Sequence, residues 1–187
     1  MRPMAWVGTW LRYLARLRLA PFVPAPRAVG SAMLDLARLR QGEKLLDLGC
    51  GDGRLLVQAV QQYGASGAVG YELDDHLVES SRAVAGSDAR IHVRQEDALT
   101  SGDAVADADV VALYLTERGN AALLPLLRER LRPSARVVSY CWGLDGLPPS
   151  RTAQAIGPGV IVQFPNVMLW ERKALWRSTQ SCSELKK

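Results

Sequence analysis

The chain has 187 residues, of which 48% are hydrophobic and 22% charged, an ordinary globular composition that excludes a chain disordered throughout. That length builds one substantial core and leaves little room for a second domain. A formal net charge of +4 is too small to argue by itself for a nucleic-acid or membrane-surface protein. Its distribution is uneven, with seven arginines before Gln41 against the single acid Asp35, and a tail that adds Arg172, Lys173, Arg177, Lys186 and Lys187.

Residues 5–20 place Trp6, Trp10, Leu14 and Leu17 at helical spacing among arginines, which predicts a basic amphipathic helix. It is too short and too charged to span a bilayer. It reads either as an interfacial anchor or targeting segment, or as a helix laid over the protein's own core. Pro21, Pro24 and Pro26 then impose an extended connector, because each ring removes a backbone donor and restricts its predecessor. A helix is expected over 27–40, with Val29, Met33, Leu36 and Leu39 on its apolar face.

From residue 44 onward strands and helices alternate. Strands are expected at 44–48, 68–72, 90–95, 109–115 and 136–141, with helices at 54–63, 75–85 and 121–131. This order predicts an α/β fold, a doubly wound, Rossmann-like parallel sheet with helices on both faces. Two apolar stretches, 160–164 and 167–172, are separated only by Pro165-Asn166 and are expected to close a seven-stranded sheet as an antiparallel hairpin. The expected organisation is a helical and connector segment at 1–40, one domain at 41–173 and a polar basic tail at 174–187.

Cys50, Cys141 and Cys182 are odd in number, lack CxxC pairing and share no zinc-ligand spacing with His76 or His92. A reducing compartment and no metal site are expected.

The chemistry concentrates in Asp47-Leu48-Gly49-Cys50-Gly51-Asp52-Gly53, between the first strand and the next helix. Gly49, Gly51 and Gly53 let the backbone turn sharply and approach a ligand. A dinucleotide's pyrophosphate seeks bare amides and a positive helix end, and Asp47 and Asp52 oppose it. An ammonium and a sulfonium are attracted by the same acids, which favours S-adenosylmethionine over a phosphate ligand. Glu72 lies 23 residues beyond Gly49, the distance at which an acid accepts from ribose hydroxyls. Asp97 is placed to accept from an exocyclic adenine amine, with Ala98 supplying a backbone donor. Cys50 and Leu73 complete the expected cofactor wall. Taken singly, each carboxylate reads better as a helix cap or a solvated loop charge, but the ordered set argues against that reading.

These motifs in this order resemble class I methyltransferases. Four further stretches, Pro21-Phe22-Val23-Pro24, Gly70-Tyr71-Glu72-Leu73, Leu113-Tyr114-Leu115 and Arg136-Val137-Val138-Ser139-Tyr140, are similar to those of the protein-lysine methyltransferases that act on the mitochondrial adenine nucleotide translocase and the ATP synthase c-subunit, and of their bacterial relatives. The resemblance implies S-adenosylmethionine as cofactor, S-adenosylhomocysteine as product, and a protein lysine as acceptor, a membrane protein among the candidates. It also implies Tyr114 as an acceptor-channel residue, with Glu117 as a second candidate. The mitochondrial members carry an apolar anchoring segment where this chain has its arginine-studded stretch. The expected location is cytoplasmic, with peripheral contact at the inner membrane, for a bacterial chain and mitochondrial for a eukaryotic one. No Asp/Asn-Pro-Pro-Tyr follows the fourth strand, which disfavours methylation of base nitrogens. Trp142 and Pro148-Pro149 are candidates for a substrate lip or for plain packing. The rival readings are a small-molecule N- or O-methyltransferase, and a noncatalytic module that binds S-adenosylmethionine or RNA.

Overall fold

The structure is a computed structural model that describes residues 19–158, 160 and 166–176. The helix expected over 5–20 and the polar tail lie almost wholly outside the described residues, as do 161–164 of the expected hairpin.

Seven strands form one sheet in the order β3-β2-β1-β4-β5-β7-β6. They are β1 (Lys44–Leu48), β2 (Gly67–Tyr71), β3 (Ile91–Arg94), β4 (Val110–Leu113), β5 (Arg136–Tyr140), β6 (Arg151–Ala153) and β7 (Val167–Glu171). The first five are parallel, with β1 central between β2 and β4. The helices are α1 (Arg27–Ala37), α2 (Arg54–Tyr63), α3 (Asp75–Ala85), α4 (Gly102–Asp107), α5 (Glu117–Arg130) and α6 (Arg172–Trp176).

Both faces of the sheet are buried, as the continuous apolar runs require. Leu45, Val110, Ala112 and Val138 face a core shared with Val29, Met33 and Leu34 of α1 and Leu56 and Val60 of α2. The alternate residues Leu46, Leu48, Val111, Leu113 and Val137 face a second core with Leu123 and Leu127 of α5. This period-two division places the carboxyl ends of β1, β2 and β4 side by side, which is where an open α/β sheet holds a ligand.

One expectation is corrected. The helix expected over 27–40 ends at Ala37, because Arg38 turns left-handed at φ 51° and its amide returns to the Asp35 and Leu34 carbonyls. The strand β7 forms as expected and pairs antiparallel with β5, and its other neighbour among the described residues is β6, also antiparallel. Val160 lies in no strand. Asn166, fully buried, accepts from the Ala155 amide at 2.7 Å and donates to the Ala155 carbonyl at 3.0 Å, fixing the return from β6 in place of a tight turn.

Trp170 of β7 is completely enclosed and donates its indole N–H to the Leu147 carbonyl at 3.0 Å. Replacing it by Ala removes the largest buried side chain of this edge and leaves an acceptor unpaired. Trp170→Ala is expected to cost about 3–5 kcal/mol in urea unfolding, with a slope close to that of the wild type.

Candidate cofactor and acceptor site

A cleft of about 1070 Å³, counted out to its mouth, opens at the carboxyl ends of β1, β2 and β4. The turn after β1 forms its floor. Gly49, Gly51 and Gly53 have φ of 93°, 55° and 78°, in the left-handed region where a side chain is strained. The amides of Gly49 and Cys50 donate to the Tyr71 carbonyl at 2.9 and 3.0 Å, tying the turn to the end of β2.

Glu72 completes this tie. Its Oε2 accepts from the Gly51 amide at 3.0 Å, and its Oε1 accepts from the amides of Leu73 and Asp74 at 2.8 and 3.0 Å. A carboxylate offers about four lone-pair positions, so three are occupied and the free one lies on Oε2. Asp97 accepts from the Leu99 amide at 2.9 Å and caps a 3-10 turn, Ala98–Thr100, which brings Asp97 and buried Ala98 to the cleft wall. Leu73 lies on the same wall.

Asp47 ends up 6% exposed on β1, with no hydrogen bond to its carboxylate among the described residues. Burial, reinforced by the charges of Glu72 and Asp52, pushes its pKa from 3.8 up to about 7. Cys50 is also buried, and burial, with Asp47 and Glu72, pushes its thiol up, so it is an inert packing group. A Cβ on Gly70 would stand 2.5 Å from the Cys50 sulfur, so the turn and β2 interlock here. Asp52 is held by Arg54, whose guanidinium also donates to the Ala25 carbonyl at 2.8 Å.

Of the residues expected to line the site, Gly53 and Glu117 do not. Gly53 opens α2 away from the cleft, and a Cβ there would meet the Ser81 hydroxyl at 2.2 Å, so its smallness serves the packing of α2 on α3. Glu117 is exposed in the first turn of α5, where its charge complements the positive helix end. Tyr114 does line the cleft, its ring 4.7 Å from that of buried Tyr140 and tilted by 58°. Burial, aided by Cys141, raises its hydroxyl pKa. Trp142 and Pro148-Pro149 lie outside the cleft wall. The Trp142 carbonyl is pinned by Asn120 Nδ2 at 2.9 Å and Ser139 Oγ at 2.6 Å.

Sequence reasoning missed the roof. Residues 19–26 cross the cleft as a strap. The Leu19 carbonyl accepts from Thr116 Oγ1 at 2.7 Å at one end, and Arg54 holds Ala25 at the other. Between them the Phe22 ring lies on Gly51, where a Cβ would stand 2.7 Å away. The prolines signalled an extended strap but not its destination. Among the described residues no group of His, Cys, Asp or Glu is arranged to hold a metal, and no helix is long and apolar enough to cross a membrane.

A Rossmann-like sheet ending in an antiparallel strand pair, with an acid-lined glycine turn at its switch point, defines the class I S-adenosylmethionine-dependent methyltransferases. The chain belongs to the family of the ANTKMT methyltransferase domain, whose pattern matches residues 47–151, more than half of its length. It is 32% identical over 133 residues to a protein-lysine N-methyltransferase of Saccharolobus islandicus, covering 69% of this chain and 81% of that one. It is 34% identical over 147 residues to the adenine nucleotide translocase lysine N-methyltransferase of Mus musculus, covering 76% of this chain and 61% of the mouse enzyme. The chain thus spans less than two thirds of the mouse protein. Among solved structures, an RNA methyltransferase of Salinibacter ruber in complex with S-adenosyl-L-homocysteine aligns with TM-score 0.69 and 35% identity, over 79% of this chain and 92% of that one.

The raised Asp47 pKa has a measurable consequence. Between the ordinary value of 3.8 and about 7 the folded chain keeps a proton that the unfolded chain has lost, so this group's stabilisation is full at low pH and declines as pH rises through that window. Asp47→Asn is expected to be more stable than the ligand-free wild type in urea unfolding at about pH 8, by on the order of 2 kcal/mol, with the gap narrowing as pH falls from about 7 towards about 4.

Proposed function

We propose that this chain transfers a methyl group to the side-chain amine of a protein lysine. The observation that carries this reading is the charge of the cleft. Asp47, Asp52, Glu72, Glu96 and Asp97 line it against Arg27 and Arg54, and Arg54 is neutralised by Asp52. Such a cleft attracts an ammonium and repels a polyanion. The lysine specificity in the names of the archaeal and mouse relatives agrees with it.

The cleft fits S-adenosylmethionine. Asp47 is a buried acceptor without a hydrogen-bonded partner among the described residues, and Leu73 and Leu77 offer an apolar wall beside Asp97 and Ala98. When bound, the cofactor supplies an electrophilic methyl on a positively charged sulfur. In this assignment Gly49, Cys50 and Gly51 form the floor, Asp47 faces the ammonium, and Glu72 accepts from the ribose through its free Oε2 position. A grip on both ribose hydroxyls requires Oε1 to release the Leu73 or Asp74 amide.

The acceptor must arrive neutral. With a pKa of about 10.4, only about one lysine in a thousand is neutral near pH 7.4, a penalty of about 4 kcal/mol. The half-buried Tyr114, its ring tilted against that of Tyr140, excludes water and so favours the neutral amine, while its hydroxyl accepts an N–H of the amine and so turns the lone pair towards the methyl. A neutral amine held against Tyr114 would face the methyl that the cofactor supplies, and the methylated ammonium so formed would lose its extra proton to solvent at the cleft mouth.

The Salinibacter neighbour, named as an RNA methyltransferase, supports RNA as a second acceptor reading. Incubation of the chain with methyl-labelled S-adenosylmethionine and separate protein and RNA fractions distinguishes the two. The expected result is label on lysine in protein, and label only in RNA would reject the lysine reading. Tyr114→Phe is expected to lower methyl transfer about tenfold or more while cofactor affinity holds. Wild-type turnover would remove Tyr114 from the acceptor site.

A further inference from the structure

Large hydrophobic side chains exposed singly are ordinary on a protein surface, but gathered round one opening they mark a contact site. Phe22, Val23, Trp142 and Ile156 are all exposed, and all stand at the edge of the sheet that opens into the cleft. Phe22 and Val23 belong to the strap and line the cleft itself. Trp142 follows β5, and Ile156 follows β6, whose Ala153 is in register with Val167 and, through it, with Tyr140, so both emerge at the carboxyl end of β5. A Cβ on Gly157 would lie 3.7 Å from the Ala28 Cβ, which sets the loop of Ile156 against the first turn of α1. Pro26 and Arg27 of that region line the cleft.

Trp142 is held at this rim by a strained turn. Cys141 has φ 65°, and the Trp142 amide donates back to the Tyr140 carbonyl at 2.9 Å, the pattern of a γ-turn with positive φ, which is rare and strained. Surrounding bonds hold it in place. The Cys141 amide donates to the Asn166 carbonyl at 2.8 Å, and Ser139 Oγ donates to the Trp142 carbonyl at 2.6 Å. Nδ2 of fully buried Asn120 donates to the carbonyls of Trp142 and Gly143 at 2.9 and 3.1 Å. None of this serves packing of the Trp142 side chain, which is 44% exposed and has no hydrogen-bond or ring partner among the described residues. Two residues earlier, Tyr140 carries the ring against which Tyr114 tilts. One rigid stretch of backbone therefore joins the acceptor wall to an outward-facing indole.

We infer that Trp142, with Ile156 and the outer face of the strap, docks the polypeptide on either side of the acceptor and so selects lysines whose neighbours are apolar. The inference rests on the lysine reading of the cleft and adds the sequence context of that lysine. The acids inside the cleft take the ammonium and repel acidic neighbours. The rim outside offers apolar surface, which favours apolar neighbours and leaves polar ones without the hydrogen bonds they make to water. Trp suits an anchor of this kind because a rigid ring contributes a large contact area at small conformational cost.

The test uses the full chain and two synthetic peptides of equal length and net charge, each with a single lysine, flanked by leucines in one and by serines in the other. The wild type is expected to methylate the leucine-flanked peptide with kcat/KM about tenfold higher, the difference lying in KM. Trp142→Ala is expected to bring the two peptides within about twofold by raising KM for the leucine-flanked one, with kcat and S-adenosylmethionine affinity unchanged. Trp142→Phe keeps most of the preference, and Ile156→Ser lowers it independently. Equal kcat/KM for both peptides in the wild type, or equal loss on both in Trp142→Ala, would overturn the inference. So would a peptide preference that survives Trp142→Ala while self-association or binding to phosphatidylcholine vesicles is lost, which would assign the rim to a second copy or to lipid. Labelling of lysine in cell protein with neither peptide methylated would overturn it too, whereas no label on protein lysine at all would reject the lysine reading itself.

Discussion

The site depends on one carboxylate. Glu72 stands where β2 ends, and it gathers amides from two segments that adjoin only through the sheet: Gly51 from the turn after β1, and Leu73 and Asp74 from the turn into α3. Charge-assisted bonds of this kind are stronger than neutral ones. With the Tyr71 carbonyl holding Gly49 and Cys50, they keep in one shape a glycine-rich turn that would otherwise sample many. The cradle is thus built before any ligand arrives, and preorganisation of this sort lowers the entropic cost of binding.

The same economy of space runs through the surroundings. Gly70 admits the Cys50 side chain, Gly53 admits Ser81, Gly51 admits the Phe22 ring and Gly30 admits the Gln58 amide. In each case a glycine lets a second element approach until a Cβ would collide, so α1, α2, α3 and the strap all close on the turn. Tight packing allows the acid Asp47 to be buried without a hydrogen-bonded partner, at a cost visible in its raised pKa. In the proposed assignment a cationic ligand group beside it would offset that cost.

Much of this was legible in the sequence. The run Asp47-Leu48-Gly49-Cys50-Gly51, with Glu72 and Asp97 at the ends of the next two strands, fixed the cleft because strand ends in a parallel sheet are brought together by topology alone. The strand β1 and the helices α2 and α3 were read with their observed bounds, since each has a clear apolar period and a turn signal. Other elements gave no such signal. The strand β6 is three residues long, too short to show alternation, and α4 buries only Val105 in six residues. The strap has no periodicity at all, and its place over Gly51 is set by partners, Thr116 and Arg54, far along the chain. Glu117 was misplaced because proximity in sequence to Tyr114 does not survive the turn into α5, which carries it to the surface.

An acid-lined glycine turn at this switch point selects a cationic, phosphate-free cofactor. Calorimetric titration of the purified chain with S-adenosylmethionine and, separately, with NAD tests this most directly. Saturable binding of S-adenosylmethionine and none of NAD is expected; binding of NAD without S-adenosylmethionine would contradict it.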